Sequence, residues 1–240
     1  GHEYTHGILT HQARADGYGS TLYSGETGAL EESFADLFGE AVEKSIVVSA
    51  DLIHGTNDPD ESVWDDGISG PVRNLYNPSA LQYEEDGLSR LYPAHMYDLN
   101  LYCGSADNGG VHHNSTVVSF AFGLIANGGV FNGCEIAPQG LDVAIHVFFK
   151  AWSDYFSHSE TFLEAYESIQ LSCADQYSPG VCEQVTKALQ AVELNQPGVC
   201  RDPTGAHRVT PPCAAVLSGE VSAARPNLTV PEVFAPLEHV

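Results

Sequence analysis

Gly1-His2-Glu3-Tyr4-Thr5-His6-Gly7 opens the chain, with its two histidines four residues apart. On an α-helix that spacing leaves the two side chains about 40° apart around the axis and about 6 Å apart along it, so both project from one face. Two imidazoles so placed can grip a single ion. Glu3 follows the first histidine by one position, beside such an ion rather than on it, where a carboxylate can take a proton from water. The stretch His2–His6 thus proposes a helix, a metal and a general base together.

A zinc ion held for catalysis needs a third protein ligand and an open fourth position. The stretch Thr27-Gly28-Ala29-Leu30-Glu31-Glu32-Ser33-Phe34-Ala35-Asp36-Leu37-Phe38-Gly39 supplies a second helix to carry that ligand. Thr27 or Ser24 stands where it can cap the start, and Leu30, Phe34, Leu37, Phe38 and Ala41 recur at helical spacing as a buried stripe. Glu32 and Asp36 lie one turn apart on another face. One of these carboxylates can bind the metal. The other can accept the free ring N–H of a ligand histidine, fixing its tautomer and raising its basicity. A solvated helix face is the ordinary fate of such residues, and the histidine motif upstream is what turns the reading toward a site.

A third block, Asp107-Asn108-Gly109-Gly110-Val111-His112-His113-Asn114-Ser115, follows, with Gly67-Ile68-Ser69-Gly70 and Arg73-Asn74-Leu75 before it. In this order the blocks resemble the thermolysin-like zinc endopeptidases, peptidase family M4, from residue 1 to about Leu194. The resemblance implies a mainly α fold, the C-terminal helical catalytic lobe of that family with long loops. It further implies that His2, His6 and Glu32 bind Zn2+, and that Glu3 is the general base and proton shuttle. Asp36 would orient His2, and Glu31 would stand beside His6, where the family more often has an amide. Tyr23 matches the tyrosine that helps stabilise the tetrahedral intermediate, His112 the histidine that binds the developing oxyanion, and Asp107 the carboxylate that holds it. Arg73 matches the arginine that binds a substrate carbonyl and braces the primed-side pocket. The chemistry agrees: metal-assisted peptide hydrolysis needs a Lewis acid, a base and donors aimed at the oxygen that becomes negative. A nearby carboxylate keeps such an imidazole protonated. His113 reads as structural or rim, and His11 as a non-ligand.

The chain departs from the family pattern in three places. Ala15-Asp16-Gly17-Tyr18-Gly19-Ser20 reads as an enlarged loop between His6 and Glu32. Glu43 and Asp51 fall at plausible Ca2+ ligand positions, but Ile53 and Thr56 sit where further carboxylates are expected. The acidic run Asn57-Asp58-Pro59-Asp60-Glu61, with Asp65 and Asp66, suits calcium or a solvated loop. The β-rich lobe that precedes the zinc helix in the family is not represented, so a missing N-terminal β lobe or a propeptide is an expected partner.

With 240 residues the chain can bury a substantial core. A formal net charge of −23, with only 9 Lys plus Arg, argues against nucleic acid or an anionic membrane as partner. No apolar run reaches the length of a membrane span, and no signal peptide opens the chain, so an exported protein would have had its leader removed or omitted. The six cysteines make an even count at spacings unlike zinc knuckles, which reads as disulfides and an oxidising compartment. Proximity suggests Cys103 with Cys134, Cys173 with Cys182 and Cys200 with Cys213.

Further helices are expected at about 115–126, 141–156, 159–176 and 179–194, with Phe148, Phe149, Trp152, Tyr155 and Phe162 as core aromatics. The segment 76–100 shows little periodicity and is expected to wind over the surface. Residues 1–194 read as the catalytic lobe and 195–240, rich in Pro, Ala, Val and Thr, as a tail or linker. The leading expectation is a secreted zinc endopeptidase that acts on protein or peptide substrates and cuts on the amino side of apolar residues. Its rivals are a fungalysin-like metallopeptidase and a zinc-stabilised, inactive fragment or binding module.

Overall fold

Helix α1 (His2–Ala15) and helix α2 (Gly25–Val47) cross where two glycines meet. A Cβ on Gly39 would lie 3.1 Å from the backbone nitrogen of His2, and one on Gly1 only 2.5 Å from the Gly39 Cα. Any larger residue would push α1 off α2 and carry His2 away from the carboxylates that face it. The computed structural model describes residues 1–15, 17, 21–47, 63–65, 71–85, 88–208 and 213. Side chains are described for most of these, but not for 13–15, 43–47, 63–65, 71–72, 85 or 88.

Among the described residues, three antiparallel strand pairs interrupt the helices: β1 (Val63–Asp65) with β2 (Pro71–Asn74), β3 (Gln82–Glu85) with β4 (Leu88–Leu91), and β5 (Gly129–Phe131) with β6 (Cys134–Ile136). The second lies inside the stretch expected to wind irregularly. With four residues in each strand, it is too short to show a two-residue period. Tyr83 of this hairpin stacks on His113 at 3.8 Å between ring centroids, so His113 packs as a core-side residue.

Helix α3 (Asp107–Asn127) runs through the middle and is buried almost throughout from Gly110 to Ala126. It begins earlier than the helical pattern alone suggests, because residues 108–110 form a left-handed turn that leads into it. Helices α4 (Leu141–Lys150), α5 (Phe162–Gln176) and α6 (Pro179–Ala191) complete the fold, and α4 continues as a wider turn through Ala151–Tyr155. α5 starts with a capping box: the Thr161 hydroxyl accepts from the Glu164 backbone, and the Glu164 carboxylate accepts from the Thr161 backbone.

The core follows from helical periodicity. Leu30, Phe34 and Leu37 are fully buried, and the Phe34 ring lies 5.0 to 5.7 Å from those of Trp152, Phe156, Phe148 and Phe38. Phe148 is buried, whereas its neighbour Phe149 is 54% exposed. Consecutive helical residues point about 100° apart, and here the core lies on the Val147 and Phe148 side of α4, which leaves Phe149 facing outward. Among the described residues, no helix is long and apolar enough to cross a membrane.

The disulfides correct the pairing by proximity. Cys173 bonds Cys182, but Cys103 bonds Cys200 and Cys134 bonds Cys213. In the chain, the stiff helix α3 stands between Cys103 and Cys134, and the segment after α6 returns along the body to meet each in turn. Residues 195–208, expected to begin a tail, lie against residues 95–102. Val199 N donates to Met96 O, Met96 N donates to Val192 O, and Tyr97 Oη donates to Asp202. Glu193 closes this junction. Its carboxylate is 2.6 Å from His95 Nδ1, and the Arg208 guanidinium donates to it.

Candidate metal centre

The site is assembled where α1, the middle of α2, β2 and the start of α3 converge. On α1, His2 and His6 project from one face, with the ring planes nearly perpendicular and their Nε2 atoms 3.2 Å apart. Glu32 of α2 faces both, with one oxygen 3.2 Å from His6 Nε2 and the other 3.6 Å from His2 Nε2. Among the described residues this trio forms a metal-ligand group, with one ligand atom from each within 4.8 Å of the others. Glu32 is 1% exposed, so its charge needs a partner.

Each ring turns its other nitrogen to a carboxylate. Asp36 Oδ1 stands 2.9 Å from His2 Nδ1, and Glu31 Oε1 stands 3.1 Å from His6 Nδ1. With a carboxylate beside Nδ1 of each ring, the two Nε2 atoms face each other and the Glu32 carboxylate. With the histidines deprotonated, this set of two imidazole nitrogens and a carboxylate suits a divalent cation. Burial works against a charged His6, but hydrogen bonds to Glu31 and then Glu32 outweigh it and raise its pKa to about 10. Burial likewise opposes the Glu32 anion, yet His6 and Tyr23 hold its pKa down to about 2. A metal ion held by these residues would displace the proton that this field attracts.

The spacing fits zinc. Four-coordinate zinc with ligands at about 2.0–2.1 Å sets neighbouring ligand atoms about 3.3 Å apart. The two Nε2 atoms are 3.2 Å apart, and the Glu32 carboxylate sets one oxygen 3.2 Å from His6 Nε2 and the other 3.6 Å from His2 Nε2, close to that spacing. Both histidines also carry the outer carboxylate that metal-bound imidazoles ordinarily have.

Arg73 reaches this cluster from β2. It is 2% exposed, donates through Nε to Asp36 at 2.6 Å and through Nη2 to Asp36 at 2.8 Å, and lies 3.3 Å from Glu32. Burial opposes its charge, but Asp36 and Glu32 raise its pKa further above the ordinary arginine range. The resemblance assigns Arg73 to a substrate carbonyl. Its guanidinium lies beneath the ligands, where it donates twice to Asp36 and faces Glu32.

On the open side stand Tyr23 and His112. The Tyr23 hydroxyl donates to Glu32 Oε1 and lies 3.4 Å from His112 Nε2. Burial, then the bond to Glu32, pushes its pKa up, so it keeps its proton. His112 is placed by the left-handed run Asp107, Asn108, Gly109 and Gly110, with φ of 50, 49, 93 and 80°. Two glycines, with Asp and Asn before them, are the residues that tolerate this region. The turn folds the Asp107 carboxylate back onto His112, 2.9 Å from its backbone N and 2.5 Å from its Nδ1. Ser24 Oγ donates to Asn108 O at 3.0 Å, tying this turn to the start of α2 and so placing Tyr23 beside His112.

Glu3 is exposed in the first turn of α1, next to His2. The structure thus brings His2, His6, Glu31, Glu32, Asp36, Arg73, Tyr23, Asp107 and His112 into one connected cluster. The Glu43 side chain and Asp51 lie outside the described residues, as do 18–20, 48–62 and 66–70. The sequence reading does not single out Thr21, whose hydroxyl donates to Glu31 Oε2. A lone threonine in a polar loop carries no periodicity or spacing that would mark it.

Residues 20–194 match the family described as thermolysin metallopeptidase, alpha-helical domain. A bacillolysin of Bacillus cereus is 30% identical over 201 residues, 81% of this chain and 31% of the relative. Neutral protease B of Bacillus subtilis (strain 168) is 31% identical over 196 residues, with 80% and 31% covered. Among solved structures, a precursor of protealysin, a metalloproteinase from Serratia proteamaculans, shares the fold with a TM-score of 0.61 at 24% identity. That likeness covers 81% of this chain and 56% of the other. The chain spans 31% of the length of these two curated relatives. The match takes in Glu32, Arg73, Asp107 and His112 and begins beyond the helix that bears His2 and His6, which the geometry joins to it. The chain therefore belongs to the thermolysin metallopeptidase family, as a bearer of its alpha-helical domain.

Proposed function

We propose that this chain is the zinc-bearing half of a secreted endopeptidase that hydrolyses peptide bonds in protein or peptide substrates. The observation that carries the reading is the grouping of His2 Nε2, His6 Nε2 and the Glu32 carboxylate as one ligand set within 4.8 Å, with a further carboxylate beside the other nitrogen of each imidazole. Zinc bound there supplies Lewis acidity toward a peptide carbonyl and toward water. Glu3, exposed beside His2, takes a proton from the attacking water and passes it to the departing amine. Tyr23 and His112 donate to the carbonyl oxygen as it gains charge. Asp107, through its contact with Nδ1, holds the His112 ring so that Nε2 is aimed into the site. Arg73 and Asp36 hold the zinc ligands from beneath. A preference for apolar residues after the cleaved bond goes with the family resemblance, and the three disulfides support an oxidising, extracellular setting. Calcium at Glu43 and Asp51 belongs to the same reading.

The experiment is metal analysis of the purified 240-residue chain beside a casein assay, with and without 1,10-phenanthroline. One zinc per chain with chelator-sensitive cleavage is the expected result. Zinc without cleavage would replace the enzyme with a zinc-stabilised binding module, and absence of zinc would remove the site altogether.

A further inference from the structure

We infer that Thr21 is a positioning residue for the metal centre, acting through Glu31 on His6; this rests on the zinc reading above. Glu31 is 4% exposed, so both of its carboxylate oxygens need partners inside the protein. Oε1 faces His6 Nδ1 at 3.1 Å, and Oε2 accepts the Thr21 hydroxyl. A carboxylate held at one oxygen can still swing about its last side-chain bond. Held at both, it fixes the plane in which His6 must lie.

The other histidine is supported in the same pattern. Asp36 stands behind His2, and Arg73 locks Asp36 with two hydrogen bonds. Each ligand imidazole thus has a carboxylate, and each carboxylate has its own anchor. The anchors differ in charge. Arg73 neutralises much of the Asp36 anion, whereas the Thr21 hydroxyl orients Glu31 without neutralising it. The Glu31 charge is directed toward His6, where it strengthens that ring's hold on a cation. Thr21 itself is held by its segment: Leu22 N donates to His158 O at 3.1 Å, and Tyr23 follows directly with its bond to Glu32.

The test is the zinc dissociation constant of the full chain, measured by competition with a chromophoric chelator. Thr21→Val keeps the side-chain shape, removes the hydroxyl and should weaken zinc binding about 10- to 100-fold, the range for loss of an outer partner. Thr21→Ser restores the hydroxyl and should return the constant to within a few-fold of wild type. In a Glu31→Ala background, Thr21→Val should have no further effect, because the carboxylate it positions is gone. The cobalt(II) form gives a second readout, since Thr21→Val should change its visible absorption and Thr21→Ser should not. Zinc affinity within twofold of wild type in Thr21→Val would overturn the inference. So would failure of serine to rescue, or an equal loss in the Glu31→Ala background. A wild-type chain that binds no zinc would overturn the proposed function as well, so the two failures are distinguishable.

Discussion

Toward α1 and β2, helix α2 turns Glu31, Glu32 and Asp36 into an interior of buried charge, whereas toward α4 it turns Leu30, Phe34 and Leu37 into an interior of aromatic and aliphatic side chains. Both sides are equally withdrawn from water. The apolar side is complete in itself: rings 5.0 to 5.7 Å apart gain from burial and contact with no further ingredient. The charged side gathers three carboxylates and two imidazoles, with the buried Arg73 guanidinium against Asp36 and Glu32, and it brings His2, His6 and Glu32 together as a ligand set. Buried charge of this kind contributes little to stability by itself. One face of α2 holds the fold together, and the other is organised to receive a cation.

Substitutions on the two faces should therefore affect activity, metal binding and stability in different combinations. The largest effect is expected from Glu3→Gln, which should lower peptide hydrolysis by about 10²- to 10⁴-fold through loss of the general base. Zinc content and melting temperature should stay at wild-type values, and casein cleavage at the wild-type rate would remove Glu3 from its role. On the opposite face, Phe34→Ala should destabilise the fold by about 3–5 kcal/mol in denaturant titrations. Its zinc affinity measured well below the unfolding transition should not change, and a parallel loss of affinity would merge the two faces into one unit. Asp36→Asn should raise the zinc dissociation constant about 10- to 100-fold, and, because it takes away the anionic partner of the buried Arg73, it should also destabilise the metal-free chain by about 3–5 kcal/mol.

The smallest effect concerns a buried carboxylate outside both faces. Burial pushes the Glu193 carboxyl up, but His95 and Arg208 outweigh it and hold its pKa below the ordinary range. A carboxyl whose folded pKa is depressed adds stability above its unfolded value, about 4.3, and loses it as pH falls through the folded value. Glu193→Gln should lower stability at neutral pH by about 1–2 kcal/mol and flatten the acid limb of the stability profile. An unchanged acid limb would show that Glu193 does not link the 195–208 segment to the body electrostatically.

What the sequence made legible was whatever repeats over one or two helical turns. His2 with His6, Glu32 with Asp36, and the stripe of Leu30, Phe34 and Leu37 are all set by a four-residue neighbourhood, and each lies where that spacing puts it. The Asp107–His112 block was legible only through its resemblance to a family motif, and the left-handed run it forms was not. Contacts between distant segments left no such mark. The pairing of Cys103 with Cys200 depends on how the segment after α6 returns, the burial of Arg73 depends on where β2 crosses α2, and the Thr21–Glu31 bond depends on a loop conformation. None of these has a local period to reveal it.

The central claim is that His2, His6 and Glu32 share one zinc ion. X-ray absorption at the zinc edge, on the chain loaded with one equivalent, tests it directly. The spectrum should show two imidazole nitrogens at about 2.0–2.1 Å and oxygen ligands at about 2.0–2.2 Å in a four-coordinate shell. A His6→Ala variant should lose one imidazole from it. A shell without imidazole, or one unchanged by that substitution, would contradict the account.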